Sequence, residues 1–181
     1  MALIKRNFSY NVLLNLSRVI FPLITAPYIS RVLEPDGIGL FNFANTYAGY
    51  FALFAVLGIP FYGIRETAKL HDDKEGLSKL VSELISVSFI ATFVVTLIYV
   101  TSIFLIGQLD ENRVLFLVAG FLVYFAPFRI DWFYSGLEQF KYITLRTVVI
   151  RTVSIICMFV FVRTKSDLLV YMILNLSLIH I

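Results

Sequence analysis

A chain of 181 residues that is 59% hydrophobic and only 15% charged, with a mean hydropathy of +0.86, is too poor in charge for a soluble domain, where charged residues make up about 25%. Its apolar residues come in blocks close to the roughly 20 needed to cross a bilayer core about 30 Å thick, and no stretch remains for a soluble domain. The net charge of +3 does not point to nucleic acid, because the basic residues are scattered between apolar blocks instead of forming a patch with interleaved aromatics. The single cysteine, Cys157, excludes an intrachain disulfide and a thiolate metal cluster.

The first predicted span covers residues 9–31. Lys5 and Arg6 precede it, but the run is long, spotted with polar residues, contains two prolines and has no small-residue cleavage site. It therefore reads as a retained span and not as a signal peptide. Asn11, Asn15, Arg18, Pro22 and Thr25 step by four, three, four and three residues, which at about 100° per residue places them on one stripe less than a quarter-turn wide. Arg18 lies near the middle of the span, where an arginine costs about 2.5–3.5 kcal/mol and calls for a partner or a wet cavity. The stripe either lines a transport cavity or ties neighbouring helices together. Pro22 and Pro27 each remove a helical hydrogen bond and predict a bend.

The second span, residues 40–62, carries Asn42, Asn45, Thr46 and Gly49 on one face of its outer half and Pro60 near the other end. Its stripe is expected to face that of the first span across a shared vestibule, with Gly49 serving either the vestibule or close helix packing. Residues 65–83 are predicted to be a solvated connector whose Leu70, Leu77, Leu80 and Val81 rest on the membrane surface. A third span follows over 84–106, a polar turn over 108–113 and a fourth span over 114–135. The fourth ends in Pro127, Phe128, Arg129, Ile130, Asp131 and Trp132. Arg129 and Asp131, two residues apart, do not share a helix face, so each is expected to find a partner on another helix, unless Arg129 snorkels to the interface. Trp132 and Tyr134 suit an interfacial aromatic belt. The fifth span is predicted over 147–162, and a sixth starts near Asp167 with about 15 residues before Ile181, too few to cross.

With the N-terminus inside, Lys5, Arg6, Arg65, Lys69, Lys74, Lys79, Lys141, Arg146 and Arg151 fall inside, and Arg31, Arg113, Arg163 and Lys165 outside. Nine against four predicts a cytoplasmic N-terminus. His71 and His180 are far apart, and there is no glycine-rich phosphate loop, serine elbow or metal-ligand spacing. No catalytic residue, metal or cofactor is expected. The last six residues, 176–181 (LSLIHI), look like translated sequencing-adapter sequence more than a natural terminus, so the chain is expected to be truncated and His180 carries no functional weight.

Three segments carry a resemblance: PYISRVLEPDGIG over 27–39, YGIRETAKL over 62–70 and DWFYSGLEQFKYITLR over 131–146, with Val162 and Asp167 at matching distances beyond. In this order they resemble Wzx-type O-antigen and polysaccharide flippases, relatives of multidrug exporters, up to about residue 175. Glu34 departs from the glycine often found there, which puts the turn geometry in question because a glycine would end the helix left-handed.

The resemblance implies an all-α, polytopic transmembrane bundle of five complete spans plus a truncated sixth. Residues 1–181 would be most of the first bundle of a two-bundle exporter, without the second. It further implies translocation of undecaprenyl-pyrophosphate-linked oligosaccharide across the bacterial inner membrane, with polysaccharide polymerase and glycosyltransferases as neighbours. Arg18, with Arg129 and Arg31, would then bind anionic phosphate, since a guanidinium grips phosphate oxygens two at a time. Asn15, Thr25, Asn42 and Asn45 would hydrogen-bond sugar hydroxyls. The alternatives are a cation-coupled drug exporter, for which Asp131 is the nearest carboxylate, and a membrane scaffold without transport. Neighbouring genes would separate these.

Overall fold

In the computed structural model, residues 2–179 are described, with side chains from 9 to 177; Lys5, Arg6 and His180 therefore lie outside what is described of side chains, as does the end of the 176–181 segment. Nine α-helices and three short 3-10 turns are found, with no strand among the described residues. The helices are α1 (Ala2–Val32), α2 (Glu34–Val56), α3 (Ile59–Lys69), α4 (Lys74–Leu105), α5 (Arg113–Ala119), α6 (Phe121–Tyr124), α7 (Asp131–Gly136), α8 (Phe140–Phe161) and α9 (Leu168–Ile179). Four stretches are long and apolar enough to cross a membrane: Ser9–Val32, Lys74–Leu105, Gly107–Phe128 and Phe140–Phe161. The pair α2 and α3, bent by 41°, makes a fifth if counted as one span. The protein is thus an all-helical, multi-pass membrane protein, and α9, at 12 residues, is shorter than a crossing needs.

The bundle is held by small residues and by aromatic rings with hydrogen-bonded tips. Ala44, Ala48, Ala52 and Ala55 of α2 are buried, at a spacing that makes one smooth helix face, the kind that lets membrane helices approach closely. Against it α4 lays Tyr99, fully buried, whose hydroxyl donates to the Phe116 carbonyl at 2.5 Å. Tyr47 of α2 donates to Ser102 Oγ at 2.7 Å. Each tyrosine fills space as a hydrophobe and satisfies its polar tip, as a dry interior demands. Met172 and Leu176 of α9 complete the same cluster.

On one flank α1 packs along α8. Thr144 donates to the Tyr10 carbonyl at 3.0 Å and Tyr28 to the Val162 carbonyl at 2.7 Å. Both bonds join residues 134 apart, so the two helices run parallel in a fixed register. Helices in parallel must cross the membrane in the same direction, as the first and fifth of five alternating spans do.

The α1–α2 connection is nearly absent. Only Leu33 separates the helices, and Glu34 takes the left-handed conformation at φ 56°. The geometry that a glycine would adopt is therefore kept by a glutamate, whose carboxylate pairs with Lys165. Pro35 at the helix start and the acidic Glu34 and Asp36 suit the N-terminus of α2. α4 starts on an Asp73 cap that accepts from Gly76 N at 3.0 Å. Before α9, the backbone N–H groups of Arg163 and Thr164 hold the Asp167 carboxyl below the usual carboxylate range.

The helices depart from the predicted spans in four places. The second span begins at Glu34 and not near 40, and breaks at Leu57 and Gly58, both left-handed at φ 48° and 71°. Residues 65–83 are no separate connector: α3 runs to Lys69 and α4 begins at Lys74, and Leu77 and Leu80 are buried within the protein and do not rest on the membrane. The fourth span is not one helix over 114–135, since Gly120, a 3-10 turn at Ala126–Phe128 and the turn at 129–130 divide it; Pro127 has no N–H to continue an α-helical ladder. The fifth helix begins at Phe140 and not near 147, because its polar first turns still bury Ile143 and Thr144. By contrast, Pro22 and Pro27 both lie inside the continuous α1. Gly49 does not serve close packing, as a Cβ there would meet nothing within 4 Å.

Candidate functional site

The polar stripe of α1 forms a chain of side chains. Asn15 donates to Asn11 Oδ1 at 2.9 Å, and its own Oδ1 accepts from Arg18 Nη1 at 3.4 Å. All three are exposed on the flank of the bundle. Thr25, about two turns beyond Arg18, is half-buried; it donates to the Pro22 carbonyl at 3.3 Å and lines a cavity of about 40 Å³ with Ser154, Tyr171 and Asn175. Arg31 is exposed in the last turn of α1.

Beside Arg18 stands a second arginine that the predicted boundaries had placed in the cytoplasm. Arg151 is the twelfth of the 22 residues of α8, about 33 Å of helix at about 1.5 Å per residue, and so sits mid-span. Its guanidinium lies over the Phe21 ring at 5.8 Å, and Phe21 is three residues, less than one turn, from Arg18 on α1. Moving Arg151 out of the flanking set leaves eight basic residues against four, nine less one. The helix start hid Arg151: the polar residues at 140–147 look like loop until their packing against α1 and α7 is known.

Asn42 is exposed, and Asn45 is half-buried with an Oδ1 that is buried and accepts no hydrogen bond. No hydrogen bond among the described residues joins either to the α1 stripe, whose helix packs chiefly against α8.

The third group lies where α2 and the fourth span both break. A cavity of about 90 Å³ is lined by Val56, Pro60, Ser88, Arg129, Asp131 and Trp132, among others. Asp131 pairs with Arg146 of α8, so its partner is on another helix. Arg129 is exposed and has no ion-pair partner among the described residues. Trp132 is not an interfacial belt residue: it is 5% exposed and its ring fills the space over Gly63 of α3, where a Cβ would stand 2.4 Å from it. No group of histidine, cysteine or acidic residues that could hold a metal ion is found among the described residues, and none of the twelve carboxylates lies near the middle of a membrane-length helix.

Comparison with known proteins gives the class: residues 4–180 match the family described as Polysaccharide biosynthesis protein, and the chain belongs to that family. It is 30% identical over 171 residues, 91% of this chain, to a protein of Escherichia coli (strain K12) described as "Putative O-antigen transporter". The chain spans 40% of that relative's length. No solved structure matches it.

Proposed function

We propose that this chain forms the first helical bundle of a two-bundle flippase with five crossings in this part, α2 and α3 together making the second. The protein moves oligosaccharide linked to undecaprenyl pyrophosphate from the cytoplasmic to the outer leaflet of a bacterial inner membrane. The observation that carries this is Arg18: a mid-span guanidinium whose described partner is a single amide oxygen at 3.4 Å, in a chain of this family. A charge kept in the bilayer at a cost of about 2.5–3.5 kcal/mol, with its N–H edges largely uncommitted, suits an anionic headgroup. Asn15 and Thr25 on the same helix supply hydrogen bonds for sugar hydroxyls, as do Asn42 and Asn45 once the second bundle closes the cavity. Arg129 and Arg31 extend the cationic track toward the two mouths, and the lipid tail stays in the bilayer. Asp131, engaged by Arg146, serves the α7–α8 contact. The absence of a mid-span carboxylate weighs against cation-coupled drug export, and the unpaired arginines weigh against a scaffold.

The orientation follows from the basic residues, eight inside against four outside. Reporter fusions at Asp73 and Asp110 are expected to report cytoplasm and periplasm respectively; the opposite pattern would invert the topology and place Arg129 at the wrong mouth. Transport itself is read in proteoliposomes of the full-length protein, with a lipid-linked oligosaccharide labelled in one leaflet. Its transfer to the other leaflet, at a rate unaffected by cationic dyes, is expected. Dye export without saccharide transfer would establish the drug-exporter reading in its place.

A further inference from the structure

The two hydrogen bonds that lock α1 to α8 fix more than direction. A constant offset of 134 residues at both ends sets Arg18 opposite residue 152, one position from Arg151. The two arginines therefore leave their helices at about one depth, about 10–12 Å above the Tyr10–Thr144 bond and about 15 Å below the Tyr28–Val162 bond at about 1.5 Å per residue. Two like charges at mid-membrane, on helices packed side by side, oppose each other as well as the bilayer. Nothing in this chain relieves them, since no carboxylate lies at that depth. Arg151 makes no hydrogen bond among the described residues, and its guanidinium carbon lies 5.8 Å from the centre of the Phe21 ring, within the roughly 6 Å of a cation–π contact. That contact engages no N–H···O bond, so the five N–H groups of the guanidinium have no hydrogen-bond acceptor among the described residues and are left for a ligand. Asn15, itself donating to Asn11 Oδ1, accepts from Arg18, steadying it from one side only.

We infer that Arg18 and Arg151 together form a two-guanidinium clamp for a diphosphate diester, one arginine to each phosphate, with Arg151 the half that selects diphosphate over monophosphate. The inference rests on the flippase reading and deepens it. A diphosphate diester carries two negative charges and a monophosphate diester one, so only the former neutralises both arginines. Either guanidinium alone would hold a phosphate; the pair, bridged by one group, converts mutual repulsion into selectivity, because a ligand with one charge leaves one mid-membrane cation unpaired.

The test compares farnesyl-diphosphate-glucose with farnesyl-phosphate-glucose, which share tail and sugar, binding to the full-length protein in nanodiscs at one fixed ionic strength. The wild type is expected to prefer the diphosphate by at least about tenfold, the scale of one lost charged hydrogen bond. Arg18→Gln and Arg151→Gln should each remove most of that preference, and the double variant should lose little more than either single one. Arg151→Lys keeps the charge without the planar fork, so it should accumulate normally and show a reduced preference; it carries the test if Arg151→Gln fails to accumulate. A wild-type preference in Arg151→Gln, or an undiminished one in Arg151→Lys, overturns the clamp. If Arg18→Gln alone loses binding, the clamp fails while the flippase reading stands. A wild type that binds neither probe overturns both.

Discussion

Replacing Arg18 with alanine in the full-length protein is expected to abolish surface polysaccharide while leaving the amount of protein in the membrane unchanged. The structural consequence is small, because the loss concerns one long hydrogen bond, 3.4 Å, to Asn15, and an exposed side chain on the flank of α1. Insertion should become easier by about 2.5–3.5 kcal/mol, the usual cost of a central arginine. The functional consequence is large: charge-assisted hydrogen bonds contribute about 1.5–3 kcal/mol each, so losing even one to a phosphate slows export by about ten- to a hundredfold. Arg18→Lys retains the charge without the fork and should be intermediate. Export and membrane protein level must be measured side by side. If export falls only in proportion to protein, Arg18 is a packing residue and the cationic track loses its centre.

Gly136→Ala is expected to have the largest effect on folding. α3 and α7 meet through two reciprocal seats, each helix offering a glycine to the other's side chain. Trp132 of α7 lies over Gly63, and Thr67 of α3, fully buried, lies against Gly136. A Cβ on Gly136 would stand 2.6 Å from Thr67 Cβ and 2.9 Å from the Ile64 carbonyl oxygen. The second contact is backbone, so it cannot swing aside. Overpacking of this kind costs about 1–3 kcal/mol, and here it also pushes α7, with Asp131, away from Arg146 of α8. Thermal unfolding of the full-length protein in detergent should show a clearly lowered midpoint for Gly136→Ala, only partly restored by adding Thr67→Ser. Gly63→Ala should also lower it, but trimming Trp132 to leucine should recover more, because the obstacle there is a side chain alone. An unchanged midpoint for Gly136→Ala would mean that α3 and α7 are not locked together.

Much of this molecule is written in the order of its residues. Long apolar blocks fix an all-helical membrane protein, since only a helix satisfies its own backbone within a hydrocarbon layer. The four-three spacing of Asn11, Asn15 and Arg18 fixes their common face, because that is local helix geometry, and the separation of Arg129 from Asp131 by two residues correctly denies them an ion pair. The three quoted segments sufficed to point to the family. What the sequence could not determine depends on contacts between distant segments. Gly58, Pro60 and Pro127 permit breaks but do not dictate them, since Pro22 and Pro27 lie inside a continuous α1; where the chain does break, α3 and α7 turn to pack on each other. Trp132 resembles an interfacial aromatic until the missing side chain of Gly63, 69 positions earlier, gives it a seat. Arg151 passes for a cytoplasmic flank until Thr144 bonds to the Tyr10 carbonyl, which extends α8 down to Phe140 and carries the arginine into the middle of the membrane. Helical periodicity assigns each of these side chains to a face of its own helix; only the packing of one helix on another decides what that face meets, and at what depth.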